Sequence, residues 1–204
     1  MSFLTKLYTQ KNLIKHAKVV ALTWDELPLE TIEGRFTQGS INFDGASAVR
    51  RTCNITLVAN NFNYNDYLWS IKTKFKLYIG LENHIDDTRE PIIWFPQGIY
   101  VLTTFNTSRS TNNFTIQISG KDKMCLLNGE IGGNLESEID FGTIEQEDQD
   151  GNWVIDKIPL KDIIFNAVNV YGKEPKHNIF IKDLDAYGLE LLEYRYDEPI
   201  YLVR

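Results

Sequence analysis

Residues 74–81, KFKLYIGL, alternate between polar and apolar with a period of two, and among regular backbones that period suits a half-buried strand. A helix built on the same stretch would scatter Phe75, Leu77, Ile79 and Leu81 around its circumference. The rhythm returns over residues 49–59, 98–106 and 112–119, and in shorter form over 19–24, 31–36, 39–43 and 92–95. Between these segments lie turn-forming clusters: Asp44-Gly45, the asparagine-rich 60–65, the charged tip 84–91 and the polar run 107–111. Connections this short have no room for crossover helices, so neighbouring strands are expected to run antiparallel. The fold class read from this is mainly β, a β-barrel or sandwich with short helices.

The stretch 37–59 is the best specified of these. Arg50, Thr52, Asn54 and Thr56 alternate with Val49, Cys53, Ile55 and Leu57, with Arg51 as an interruption. Gly34 or Gly39 is expected to mark a bulge or bend. Two adjacent arginines where loop becomes strand offer guanidinium forks to carboxylates of the same sheet or of a neighbouring subunit.

The run Gly39-Ser40-Ile41-Asn42-Phe43-Asp44-Gly45, followed by Ser47-Ala48-Val49-Arg50-Arg51-Thr52-Cys53, resembles the opening strands of tail-hub and baseplate proteins of tailed bacteriophages. A second echo lies at residues 120–129, and the likeness covers roughly 31–128. The resemblance implies a tail-tube-like β-barrel over residues 19–119, an N-terminal arm over 1–18, and an inserted or second α+β domain over 120–204. It also implies assembly, as a trimer or hexameric ring, with tail tube, spike and other baseplate proteins, in a virion put together in the host cytoplasm. DNA would pass through the lumen without specific binding. Hub proteins of this kind are usually longer and carry two tube-like barrels, which is why both ring stoichiometries stay open. The expected subunit contacts are Arg50, Arg51, Lys74 and Lys76, with Asn60, Asn61 and Asn63 of the asparagine-rich loop. The lysines of the 74–81 strand are read as facing water or a partner, with its aromatics on the opposite face.

Composition narrows the chemistry further. Twenty-one basic against 28 acidic residues leave a net charge of -7, which disfavours a surface made to grip nucleic acid. The two cysteines, Cys53 and Cys125, are too few for a disulfide framework and read as small buried hydrophobes in a reducing compartment. Residues 1–17 lack the continuous apolar region of a signal peptide, and no stretch has the apolar length of a membrane span. None of His16, His84 and His177 is at metal-ligand spacing from another, and no serine-nucleophile, phosphate-loop or zinc-protease motif is present. No cofactor, metal or catalytic residue is expected, and the chain is read as no enzyme.

Two other readings compete with this one. Glu136 and Glu138 could form an acid pair for glycoside hydrolysis, but they sit in an acidic stretch with no apolar pocket to raise either pKa. A carbohydrate- or receptor-binding module would use Trp69, Trp94 and Tyr100 as a stacking platform. Asp150-Gly151 reads as a hairpin turn in preference to a calcium loop. Short helices are expected over 66–71 and 121–127, a longer one from Pro159 to Gly172, and further strands over 178–181, 189–196 and 199–203.

Overall fold

The alternating segments become sheet between residues 15 and 121, and the separately expected 92–95 and 98–106 join in one long strand. The computed structural model describes residues 2–47, 49–59, 67–86, 88–110, 113–128, 130–131, 144–147, 153–156 and 164–181. Its strands are β1 (Lys15–Leu22), β2 (Pro28–Phe43), β3 (Arg51–Ala59), β4 (Lys74–Glu82), β5 (Ile92–Arg109) and β6 (Phe114–Lys121). All neighbours are antiparallel, in the order β1-β2-β3-β6-β5-β4, and β4 pairs back onto β1 from Lys15↔Leu81 to Leu22↔Lys74, which closes the barrel.

The two long strands serve two sheets. The first half of β2 pairs with β1, as far as Arg35↔His16, and the second half pairs with β3, as far as Phe43↔Arg51. In the same way β5 pairs with β4 up to Val101↔Lys74 and with β6 from Val101↔Lys121 onward. One sheet is therefore β2-β1-β4-β5 and the other β2-β3-β6-β5. The changeovers fall at register shifts between Phe36 and Gln38 and between Leu102 and Thr104, where an extra residue bends a strand enough to turn a corner.

Period-two burial then fills the interior. Ala17, Val19, Ile55, Leu57, Leu77 and Ile118 are among the buried residues of one continuous core, with Phe75 stacked on Tyr100 at 5.8 Å between centroids. Residues 67–73, expected in part as a helix, instead form turns that cover this core. Trp69 is buried and stacks on Phe105 at 5.2 Å, and Lys72 takes a positive φ of 83°. The Lys72 N–H donates to the Leu102 carbonyl and the Leu102 N–H to the Thr73 carbonyl, so the segment is held as an extension of the sheet edge.

The N-terminal helix α1 (Phe3–Tyr8) is capped by the Ser2 hydroxyl and buries Leu7 completely. It docks on its own barrel: Tyr8 lies 5.8 Å from the Phe95 ring, Arg89 stands 4.2 Å over Phe3, and Gln10 Nε2 donates to the Glu82 carbonyl. Residues 15–18, expected in the arm, already belong to β1.

The chain divides into two units, 1–125 and 126–204. A single turn, α2 (Met124–Leu127), begins where β6 ends. In the second unit β7 (Ile144–Glu147) and β8 (Trp153–Asp156) pair antiparallel, consistent with the hairpin expected around Asp150-Gly151. A helical stretch from 164 continues as a π-helix, Ala167–Tyr171, stopped at Gly172. Residues 176–178 form a 3₁₀ turn where a strand start was expected, because the Asn178 N–H closes back on the Pro175 carbonyl. The expected strands over 189–196 and 199–203, the start of the helix at Pro159, and Glu136 and Glu138 lie outside the described residues.

Candidate assembly surface

The paired arginines separate in role. Arg50 is exposed in the turn before β3, its carbonyl accepting the Asp44 N–H at 2.8 Å. Arg51 is tied inward. Its N–H donates to Asp122 Oδ2 at 2.8 Å, and its guanidinium lies 6.0 Å over the Phe43 ring. Gly98 across the barrel makes room for it: a β-carbon there would fall 2.9 Å from Arg51 Nη1, and the φ of +118° disfavours any side chain. Asp122 is buried and also accepts the Met124 N–H through Oδ1, so one carboxylate organises both the start of β3 and the start of α2.

Lys74 corrects the expectation that it faces water or a partner. Its side chain is fully buried, with Nζ donating to the Trp24 carbonyl at 3.1 Å and 3.6 Å from Glu26 Oε1. Lys123 reaches the same oxygen at 2.9 Å. The β1–β2 turn folds back over the outer side of the sheet here, with Glu26 at φ 64°, and covers a position whose parity alone would place it in solvent. Burying an ammonium is tolerable only with such a partner.

Lys76 stays on the half-exposed outer face. That face carries a cross-strand row of charges and rings: Lys18 is 3.2 Å from Glu33, 4.3 Å over Trp94 and 5.6 Å over Tyr78, while Lys76 stands 5.3 Å over Tyr78. Tyr78 therefore shares a face with Lys76, contrary to the reading that put the strand's lysines and aromatics on opposite sides; Phe75 alone of the two points inward. Trp94 lies flat across Gly80, where a β-carbon would meet its ring at 2.7 Å. Asn60, Asn61 and Asn63 lie outside the described residues.

No family model matches the chain, and no curated protein matches it. Among solved structures it is similar to "Structure of PdpA-VgrG Complex, Lidless", with a TM-score of 0.38 and 7% identity over 66% of this chain and 23% of that one. It is also similar to "Structure of Francisella PdpA-VgrG Complex, Lidded", at 0.38 and 7% over 66% and 19%. The half-lidded form of the same Francisella complex gives 0.37 and 8% over 70% and 22%. The chain spans less than a quarter of the length of the chains it matches.

The stacking platform is also corrected. Trp69 and Tyr100 are buried in the core, and Trp94 on the outer face is covered by Lys18 on one side and laid on Gly80 on the other. Three rings that alternation leaves ambiguous thus face different ways, since 69 lies in a turn, 94 on the outside and 100 on the inside of β5. Burial, above all, pushes the Tyr100 hydroxyl and the Cys53 thiol each up to about 12, so neither is ionised near neutrality.

One cluster escaped the sequence reading. The Glu82 carboxylate meets His16 Nε2 at 2.7 Å through one oxygen and His84 Nε2 at 3.0 Å through the other. The hydrogen bond from His16, ahead of those from His84, holds the Glu82 carboxyl below its usual range. The register His16↔Gly80 makes the first pairing, and a return after β4 the second; neither is visible as a linear spacing. Among the described residues no group of three or more His, Cys, Asp or Glu is arranged to hold a metal ion, and no helix is long and apolar enough to cross a membrane.

Proposed function

We propose that this chain is a structural subunit of a phage-type tail, a baseplate-hub or tube-initiating ring component that acts by assembling with copies of itself and with tail-tube and spike proteins, and not as an enzyme. The observation that carries the reading is the overhang of β2. Its residues 37–43 run past the point where β1 starts, pair only with β3, and have no second strand beside them among the described residues. An antiparallel strand with one open edge is a template for another chain's backbone, and the closed barrel behind it keeps that template rigid.

The resemblance of residues 39–53 and 120–129 to tail-hub strands supplies the class of assembly. Arg50 stands exposed at the base of the same hairpin, within reach of a partner's carboxylate. The net charge of -7 suits a lumen through which DNA passes without being held. Mass measurement in solution by light scattering, with negative-stain imaging of the same sample, tests the proposal. Rings or stacked discs of three or six copies are expected; a monomer at every concentration, with no rings on the grid, overturns it.

A further inference from the structure

The helix α1 occupies a seat made by another part of the barrel. Leu7 is buried completely, the Tyr8 ring lies 5.8 Å from that of Phe95, the Arg89 guanidinium stands 4.2 Å over Phe3, and Gln10 Nε2 donates to the Glu82 carbonyl at 2.6 Å. Phe95, Arg89 and Glu82 belong to β5, to the loop before it and to β4, and none to β1, the strand into which the helix leads. Chain continuity therefore contributes nothing to these contacts.

The connection between helix and β1 is loose by comparison. Lys11, Asn12 and Leu13 are exposed and make no hydrogen bond to the barrel among the described residues. Gln10, where the chain turns back, keeps its Oε1 buried without a hydrogen-bond donor. A buried acceptor left empty costs free energy, and that cost belongs to the turn that returns α1 to the side of its own β1. The helix itself has six residues, too few to stand alone, and one fully buried side chain anchors it, so it can leave its seat while the barrel stays closed. Leu4 and Leu13, with Ile85 of the loop that carries Arg89, stay exposed, apolar surface that one barrel alone does not cover.

A lone chain can fill the seat only with its own helix, but where copies touch, every seat is the same and any copy's helix fits it. We propose that residues 2–10 are exchanged between copies, the helix of one chain docking in the β4–β5 seat of the next. The inference rests on the assembly proposed above. Exchange keeps each contact of the seat and needs no new complementarity, and the nearness of a neighbour raises the effective concentration of the helix to about millimolar. Ile14 stays with its own barrel, where its carbonyl accepts the Glu82 N–H at 3.1 Å. Stretched out, residues 11–13 span about 14 Å between Gln10 and Ile14, enough to reach a body in contact. Passed on in one direction, the helices link the copies head to tail, the arrangement that closes a ring.

The test is site-directed cross-linking. The Y8C/F95C variant places one thiol on the helix and one on its seat, while Cys53 and Cys125 are buried. The assembled full chain is treated with a short bis-maleimide and run on a denaturing gel. Covalent products of two, three and more chains are expected to hold at least half of the protein, and to fall at least fivefold in a sample diluted and equilibrated below assembly before the reagent is added. Y8C and F95C singly, treated alike, should remain single chains. Should the pair not fold, F3C/R89C gives the same readout. Assemblies whose only product is one chain bridged within itself overturn the exchange and leave the proposed function standing. A chain that is monomeric at every concentration overturns both, and ladders as strong from either single variant mark adjacency without exchange and overturn this inference.

Discussion

Arg51 and Asp122 exchange backbone-level hydrogen bonds in both directions: the Arg51 N–H donates to the Asp122 carboxylate at 2.8 Å, and the Asp122 N–H donates to the Arg51 carbonyl at 2.9 Å. The start of β3 and the end of β6 are thereby clipped together, with α2 hung from the other carboxylate oxygen. Replacing Asp122 by Ala leaves the part-buried Arg51 and Met124 N–H groups without their acceptor, so a loss of about 2 kcal/mol in urea unfolding is expected. D122N keeps one acceptor oxygen but turns an amide NH2 on the other N–H, so at least half of that loss is expected.

Glu26 is shared by two lysines, which makes its removal and theirs unequal. Glu26→Ala takes the carboxylate away from the fully buried Lys74, beside Lys123, and is expected to cost about 3 kcal/mol. Lys74→Met keeps the Lys123 pair and fills the same space with an apolar chain, with a change under about 1 kcal/mol. Chemical denaturation of the two variants in parallel checks the order; equal losses would mean the ion pair is not what holds the turn.

Gly98 faces two separate demands, its backbone angle and the Arg51 guanidinium. Gly98→Ala is expected to lower stability by about 2 kcal/mol. Adding Arg51→Ala removes the collision but not the strained φ, so the double variant should recover only part of the loss contributed by Gly98→Ala, a coupling read from a double-mutant cycle.

The carboxyl of Glu82 titrates below its ordinary value of 4.5 because His16, and then His84, hydrogen-bond to its charged form. A depressed folded pKa stabilises the native state above the unfolded pKa, and that contribution fades as pH falls through the folded value. E82Q should therefore be less stable than the parent at pH 7 and should converge with it in strong acid, an outcome followed by urea midpoints at stepped pH.

Cys53 and Cys125 are both buried, and the Cys53 thiol is pushed up to about 12. Neither is expected to react with a thiol reagent at pH 8 until the chain is unfolded, when both should label. Fast labelling of the native protein would show that the barrel opens far more readily than its closed ladder implies.

Alternation made the strands legible, and with them the core: Cys53, Ile55, Leu57, Phe75 and Leu77 are buried where a period of two puts them. What period cannot express is anything that crosses from one segment to another. Lys74 has the parity of an exposed residue and is buried because a turn 50 positions earlier in the chain folds over it. The helix expected over 66–71 rested on the spacing of Tyr67, Leu68 and Ile71, and lost to Trp69, whose ring is worth more stacked on Phe105 than any single helical turn. Residues 92–95 and 98–106 read as separate strands because Pro96-Gln97-Gly98 signals a break, but those residues mark a bulge inside a strand that carries on, whereas the bend expected at Gly34 or Gly39 lies inside β2, at the register shift between Phe36 and Gln38.

Because β2 and β5 each lend one half to one sheet and the other half to its neighbour, the two sheets hold no private frame. Pulling either long strand out of place dismantles both ladders at once, so the barrel should yield as a single cooperative body or not at all. A ring made from such units would transmit load through stiff links, with any give confined to the joints between them.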